Sequence, residues 1–428
     1  MNLIFKLNSA DTFNCDECDK IIDFSQPNSF SYTFWDLKER FHNWYATQAI
    51  DLLYISLAVF AADRLFLRSN APDAWCRNVK LYIPVINKEL FEDSKKLLEE
   101  MISFLTGDCW EIHFRERGLT EQELAHKNRK IRKKDTVKEY DQVCMFSGGL
   151  DSFIGAIDLL ETDSRKSTLF VSHYGGGKGT KEYQDFLKAK FIENYQLDER
   201  DFCQFYAKVV GGIEDTTRSR SFMFFAHAVA LASALGHPVN LVIPENGLIS
   251  LNIPLTLSRI GSSSTRTTHP YYMKKFQLLI DKLGLKITFK NPYQFKTKGE
   301  MLLECCNKDF MLEYFNNTMS CSHPDIGRMK SEKEARHCGY CLPCVVRQAA
   351  ILFAGLQDDS TYRDKFFKSG PNEKTILNSY LLGLSKFNPD KAFMSIQMNG
   401  IIDDDIEKFT NLYIRGMKEL KSYLDTIK

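Results

Sequence analysis

The sequence predicts an α/β protein whose central layer is a five-stranded parallel sheet with helices on both faces. Two observations lead to this class. Between residues 141 and 300, short apolar segments alternate with segments of helical periodicity, and strands separated by helices form parallel sheets. The first apolar segment runs into a glycine-rich turn and then a helix, the usual opening of such a sheet. With 428 residues, the chain is long enough for two or three domains.

Residues 1–140 are predicted to form a separate α+β domain. An apolar run from about residue 44 to 67 predicts a buried helix. It carries three charged residues, and a bilayer span tolerates few charges. A strand–helix–strand pattern follows it, with predicted bounds of 78–84, 88–105 and 110–114.

Residues 141–351 are predicted to form the core domain, and residues 352–428 a helical extension without a catalytic motif. In parallel sheets of this kind, ligands bind beyond the carboxyl ends of the strands. The predicted core strands are 143–146, 168–172, 202–210, 239–243 and 286–290, and the predicted helices are 151–161, 181–195, 220–235 and 271–283.

The charge balance excludes a basic field over the whole chain, since 56 Lys and Arg face 55 Asp and Glu. A basic stretch at 127–138 is interpreted as a solvated linker, with a nucleic-acid or phosphate contact as the alternative. Lys6 interrupts the first apolar run, so no secretory signal is recognised. We therefore expect a cytoplasmic protein that does not enter membranes, with its twelve cysteines reduced.

The glycine-rich turn carries the clearest functional signal. It reads Phe146-Ser147-Gly148-Gly149-Leu150-Asp151-Ser152. Two glycines let the backbone approach an anion closely, and the following helix points free N–H groups at that anion. Ser147 and Ser152 add hydroxyl donors, and Asp151 is placed to hold a cation that bridges phosphates. The residues 147–152 are thus predicted to bind a nucleotide, whereas a Walker A motif is absent because Gly177-Lys178 lacks its flanking residues.

A cysteine cluster predicts a metal site in the last third of the core. Cys338, Cys341 and Cys344 are spaced C-x2-C-x2-C, and Cys321 precedes them by 17 positions. Four thiolates satisfy tetrahedral Zn²⁺ and close the site, so the ion is expected to be structural. An iron–sulfur cluster and free thiols remain alternatives, as do His323 and His337 as ligands. A second C-x2-C pair, Cys15 and Cys18, is interpreted as incidental or as half of a site.

The SGGLDS turn is similar to the pyrophosphate loop of the PP-loop ATP pyrophosphatases. Together with the four cysteines, it resembles the QueC family, the 7-cyano-7-deazaguanine synthases, over residues 141–351. That resemblance implies a sheet of the adenine-nucleotide alpha hydrolase-like (HUP) type, with ATP, Mg²⁺ and Zn²⁺ as cofactors. It also implies that ATP is cleaved between its α- and β-phosphates to adenylate the carboxylate of a 7-deazaguanine.

The resemblance extends to site residues outside the loop. It implies catalytic roles for Arg220, Lys298 and Asp151, where the arginine neutralises a carboxylate or phosphate and the lysine stabilises departing pyrophosphate. It implies substrate-binding roles for Tyr174, Gly175, Glu245 and Asn246. The chain departs from the family pattern at His173, Gly176 and Ser221, where the family has Asp, Gln and Asn.

The extra length also departs from the synthases, because about 140 residues precede the core and 77 follow it. This layout resembles the QueC-like proteins of bacterial anti-phage defence operons. That resemblance implies transfer of the deazaguanine acyl group to the N-terminal amine of a partner protein from the same operon. The alternatives are amidation with ammonia, modification of a nucleic-acid base through the basic stretch, and a scaffold without catalysis.

Overall fold

The computed structural model describes residues 1–37, 41–129, 137–162, 166–175, 179–216, 218–255, 266–327 and 332–427. The strands are β1 Asn2–Lys6, β2 Lys20–Asp23, β3 Phe30–Tyr32, β4 Asn78–Val85, β5 Cys109–Glu116, β6 Gln142–Met145, β7 Thr168–Tyr174, β8 Phe202–Val209, β9 Val239–Val242 and β10 Ile287–Lys290. The helices are α1 Thr47–Leu65, α2 Lys88–Thr106, α3 Glu121–Lys127, α4 Leu150–Thr162, α5 Gly179–Tyr195, α6 Arg220–Ser233, α7 Gly247–Leu251, α8 Pro270–Lys282, α9 Lys298–Glu304, α10 Lys308–Tyr314, α11 Leu342–Phe353, α12 Pro371–Lys386, α13 Ala392–Asn399 and α14 Ile406–Asp425.

The larger sheet confirms the predicted α/β class with parallel strands. Its order is β10-β9-β6-β7-β8-β3, and the first five strands run parallel to their neighbours. The predicted count of five strands is wrong for this sheet as a whole. A sixth strand, β3, pairs antiparallel with β8 through Phe30 and Val209. It comes from the polar, turn-rich beginning of the chain, where local sequence gives no sign of this distant partner.

The smaller sheet corrects the expected α+β arrangement of the first 140 residues. It has the order β2-β1-β4-β5, and all its paired strands are parallel. β4 and β5 are parallel because α2 forms the crossover between them, with Phe91, Leu98 and Met101 buried on one face of the helix. The first part of the chain is therefore also α/β.

Helix α1 joins the two sheets into one hydrophobic core. Nearly all of its residues are buried, and it packs on α6 as well as on β4 and β8. The core that contains it extends from Leu3 to Ile287. The proposed domain boundary at residue 140 stays a prediction, but the apolar packing continues across it. In the described ranges, no helix has the length and apolar character needed to cross a bilayer.

The C-terminal helices cover one end of the larger sheet. Helix α14 packs on α11, α13 and α7, around a separate apolar cluster that includes Leu248, Leu412 and Leu424. Glu419 of α14 also accepts a hydrogen bond from Thr297, the residue that caps α9. The extension at 352–428 therefore contacts the segment that carries Lys298.

Candidate functional site

A cavity of about 300 Å³ lies beyond the carboxyl ends of β6 and β9, where ligands of parallel sheets bind. We call it the loop cavity. It brings together most of the residues that the sequence singles out. Its lining includes Ser147, Gly149, Leu150, Asp151, Ser152, Arg220, Glu245 and Lys298.

The glycine turn is held in a conformation that needs glycine. Gly148 has a φ of +82°, and a Cβ atom there would lie 2.9 Å from Cγ of Gln184. The Gln184 amide donates to the carbonyl of Ser147 at 2.9 Å and to that of His173 at 3.0 Å. Met319 N–H donates to the Gly148 carbonyl at 2.8 Å. The turn is thus fixed from two sides, and α4 begins directly at the cavity wall.

Asp151 lies at the centre of a buried polar cluster. Its carboxylate accepts hydrogen bonds from the backbone N–H of Asn246 at 3.0 Å and from the Asn246 amide at 2.6 Å. Its other oxygen lies 2.8 Å from Nζ of Lys298. Burial alone would raise the pKa of Asp151, but Lys298 and the hydrogen bonds from Glu245 and Asn246 hold that pKa below its ordinary value. Asp151 is therefore an anion balanced by a lysine.

Asn246 does not line the cavity, although the sequence assigns it to substrate binding. It is fully buried behind Asp151, and its side-chain oxygen accepts from the N–H of Ile249 to cap α7. Its position lets it orient Asp151. No feature of the sequence indicated this contact, because the two residues lie 95 positions apart.

Glu245 lines the cavity beside Asp151. Its backbone is held by Asn291, whose amide donates to the Glu245 carbonyl at 2.9 Å. Burial, followed by the charge of Asp151, raises the pKa of Glu245 well above its ordinary value. Glu245 thus presents a neutral carboxyl that donates a hydrogen bond, next to an ionised one.

Arg220 begins α6 and faces the same cavity. Among the described residues, no carboxylate lies within ion-pair distance of its guanidinium. Burial lowers the pKa of Arg220, but a guanidinium stays protonated at neutral pH. An unpaired arginine on a cavity wall favours an anionic ligand.

Lys298 is positioned by the start of α9. Thr297 and Glu300 form a capping box, in which each side chain accepts from the backbone N–H of the other residue. Lys298 is 4% exposed and reaches Asp151 from this capped end. The three residues predicted to be catalytic therefore share one cavity, two of them in direct contact.

The four cysteines form a group that can hold zinc. The sulfur atoms of Cys321, Cys338, Cys341 and Cys344 all lie within 4.8 Å of one another. Cys321 and Cys341 are separated by 4.0 Å, and Cys338 and Cys344 by 3.9 Å. Zn–S bonds of about 2.3 Å in a tetrahedron place sulfurs about 3.8 Å apart, so the spacing fits Zn²⁺. Backbone N–H groups of Cys338 and His323 also donate to the Cys321 sulfur, which favours a thiolate.

The metal group borders the loop cavity. Cys321 lines it together with Met319 and Ser320, and the Ser320 hydroxyl accepts from the N–H of Leu150 at 3.4 Å. The buried Arg347 donates to the hydroxyl of Thr318 at 2.6 Å and so anchors the same segment. The contacts of Ser320, Arg347 and Gln184 were not predicted, because each joins segments far apart in sequence.

Three predicted features are not brought to the cavity. Tyr174 and Gly175 end β7 outside the described lining, and Tyr174 stacks near Tyr206 at 5.3 Å. In the described part of the chain, no further ligand group joins Cys15 and Cys18 in a metal cluster. Of the basic stretch, residues 130–136 lie outside the described residues, as does Gly176.

Comparison with known protein families and with curated proteins finds no match to this chain. The functional argument therefore depends on the motifs and on the geometry of the loop cavity.

Proposed function

We propose that the chain is an ATP-dependent, AMP- and pyrophosphate-forming C–N ligase of the QueC-like PP-loop type. It adenylates the carboxylate of a 7-deazaguanine, of the 7-carboxy-7-deazaguanine type, and transfers the acyl group to the N-terminal amine of a partner protein. One observation carries the proposal. The glycine turn, the Asp151–Lys298 pair and the unpaired Arg220 all face a single cavity.

The glycine turn is the proposed site of the ATP phosphates. The backbone at Gly148 and Gly149 and the first turn of α4 offer N–H groups to phosphate oxygens. The hydroxyls of Ser147 and Ser152 lie 3.1 Å apart and would add two donors. Asp151 would hold Mg²⁺, which offsets phosphate charge when bound.

Arg220 and Lys298 are the proposed cationic groups of the reaction. Arg220 neutralises the carboxylate of the deazaguanine and orients its oxygen toward the α-phosphorus. That oxygen bonds to the α-phosphorus, the bond to the bridging oxygen breaks, and pyrophosphate leaves with its charge stabilised by Lys298. The amine then attacks the acyl carbon, AMP leaves with the carboxylate oxygen, and the nitrogen loses one proton.

The strand order supports a sheet of the HUP type. Numbered by their own order in the chain, the five parallel strands run 3-2-1-4-5, as in half of a doubly wound nucleotide-binding sheet. The glycine turn follows the first of these strands, at the switch point of the order. A structural Zn²⁺ at the four cysteines would hold Met319 and Ser320 against the turn.

The remaining parts of the chain favour a protein acceptor over ammonia. Residues 1–140 and 352–428 lie outside the QueC-like core, and an amidating enzyme has no need of them. Their layout resembles the QatC component of the bacterial Qat anti-phage defence system. We propose accordingly that the protein is cytoplasmic and that its partner is encoded in the same operon.

Pyrophosphate release from ATP in the presence of 7-carboxy-7-deazaguanine tests the proposal. Ser147→Ala and Asp151→Ala should abolish release, because they remove a phosphate donor and the charge that balances Lys298. Ser395→Ala, on the exposed surface of α13, is the matched control and should retain full activity. Acid-dependent release that is absent from the wild-type protein would refute the proposal.

The acceptor is identified by intact mass. Each operon-encoded protein is coexpressed with this chain and with its Asp151→Ala variant. A mass gain equal to the deazaguanine acyl group, found only with the wild-type chain, identifies the partner. A nitrile or amide product formed from ammonia, without any protein adduct, would favour the synthase reaction.

A further inference from the structure

A second cavity, of about 270 Å³, adjoins the loop cavity. We call it the side cavity. The two cavities share Ile243, at the end of β9, and Thr268, just before α8. The Thr268 hydroxyl lies 2.9 Å from that of Ser250, which also lines the side cavity. A molecule in the side cavity therefore lies next to the space where the acyl group would be activated.

The wall of the side cavity is largely apolar and comes from three parts of the chain. Met273 belongs to α8, Phe289 to β10 and Phe409 to α14, while Ile401 and Ile402 precede α14. The C-terminal extension thus completes a cavity that the core alone would leave open. Apolar side chains of a ligand would be stabilised there by burial.

The charges at the side cavity favour a cationic ligand. Asp403, Asp404 and Asp405 line it, against two lysines, Lys274 and Lys290. Nζ of Lys274 lies 2.9 Å from Asp404 and 3.6 Å from Asp403, so this lysine is already paired. The excess of carboxylates attracts an ammonium group and repels phosphates.

Exposed apolar residues continue outward from the side cavity along the C-terminal extension. Ile401, on the cavity wall, is 62% exposed. On the preceding helix α13, Met394 and Met398 lie one turn apart and are 61% and 85% exposed. Such groups on a surface are typical of sites that bind another protein.

We propose that the side cavity binds the amino-terminal segment of the acceptor polypeptide, with an apolar side chain in the cavity and the free amine directed past Thr268 into the loop cavity. This inference rests on the proposed function and names the acceptor surface of the same site. The amine approaches the acyl group from the side opposite to the phosphates. The apolar wall selects the residues that follow the amine.

The test compares small amines as acceptors. The tripeptide Gly-Leu-Phe-amide offers an amine and two apolar side chains, glycinamide offers the amine alone, and hydroxylamine is small enough to react within the loop cavity. We expect the KM of the tripeptide to be at least about tenfold below that of glycinamide, since apolar contacts discriminate ligands by about this factor. AMP release and the mass of the acylated product are measured.

Two tryptophan variants of α8 separate the side cavity from the rest of the site. Met273→Trp fills the side cavity, whereas Leu278→Trp changes an exposed residue outside its lining. Met273→Trp should abolish the preference for the tripeptide and leave ATP–pyrophosphate exchange and capture by hydroxylamine unchanged. Leu278→Trp should behave as the wild type. Thermal unfolding of both variants checks that the fold is intact.

Binding is measured separately from the reaction, by fluorescence anisotropy of the tripeptide labelled at its C-terminus. We expect binding by the wild type and by Leu278→Trp, and loss of binding in Met273→Trp. Equal KM values for tripeptide and glycinamide, or binding that survives Met273→Trp, would overturn the inference. Absence of ATP–pyrophosphate exchange in the wild type would instead overturn the proposed function, and the anisotropy result still decides the side cavity.

Discussion

Glu419 is a buried carboxyl that should make folding depend on pH. It lies on α14, accepts a hydrogen bond from Thr297 and is 4% exposed. Burial raises the pKa of Glu419 from 4.5 to about 7, and the hydrogen bonds from Thr297 and Gly299 offset only part of that effect. We predict that Glu419→Gln stabilises the protein at alkaline pH.

The magnitude follows from the difference in pKa between the folded and unfolded chains. Below pH 4 the carboxyl is protonated in both states and has no effect on the free energy of unfolding. As pH rises past 4.5 the unfolded chain ionises first, so stability falls until about pH 7 and stays lowered above it. A shift of this size corresponds to about 3 kcal/mol.

Urea denaturation at several values between pH 5 and pH 8.5 measures this effect. The difference in unfolding free energy between Glu419→Gln and the wild type should grow by up to about 3 kcal/mol across that range. Taking the difference cancels other titrating groups, such as the buried histidines. Glu407→Gln, on the exposed side of the first turn of α14, should show no such growth. Parallel curves for Glu419→Gln and the wild type would refute the reasoning.

The other predictions concern the loop, the metal group and the cavity arginine. Gly148→Ala should destabilise the fold by about 1 kcal/mol or more and weaken ATP binding, measured by calorimetry, because of its positive φ and the contact with Gln184. Gly118→Ala, with open space around it, should do neither. Metal analysis should find one zinc per chain, and Cys341→Ser should lower that content and the melting temperature; an unchanged zinc content would contradict the four-sulfur site. Arg220→Gln should raise the KM for the deazaguanine acid about tenfold or more, without changing the melting temperature by more than a few degrees. An unaltered KM would remove Arg220 from the site.

Features that depend on neighbouring residues were predictable from the sequence. The glycine turn requires small residues at consecutive positions, and the C-x2-C-x2-C spacing fixes three ligands of the metal group. Alternation of apolar and helical segments gave the parallel strands β6 to β10 within a few residues. In each case the physical constraint acts over a few positions of the chain.

Features that depend on distant pairs were not predictable in this way. The pairing of Phe30 with Val209 joins parts of the chain separated by 179 positions. The same holds for the side chain of Asn246, which the sequence directs toward substrate but which donates to Asp151. A short polar strand and a capping asparagine look alike in many contexts. Only the folded neighbourhood decides their partners.

Strand β3 has a consequence for shortened forms of the protein. Removing the first 140 residues would leave the eight residues of β8 as an open margin of the sheet, with unpaired backbone N–H and carbonyl groups. Such a margin pairs readily with strands of other molecules, and the loss of α1 would uncover the apolar face of α6 beside it. The isolated catalytic core should therefore aggregate, so that the beginning of the chain keeps the enzyme dispersed in addition to any role in recognising its acceptor.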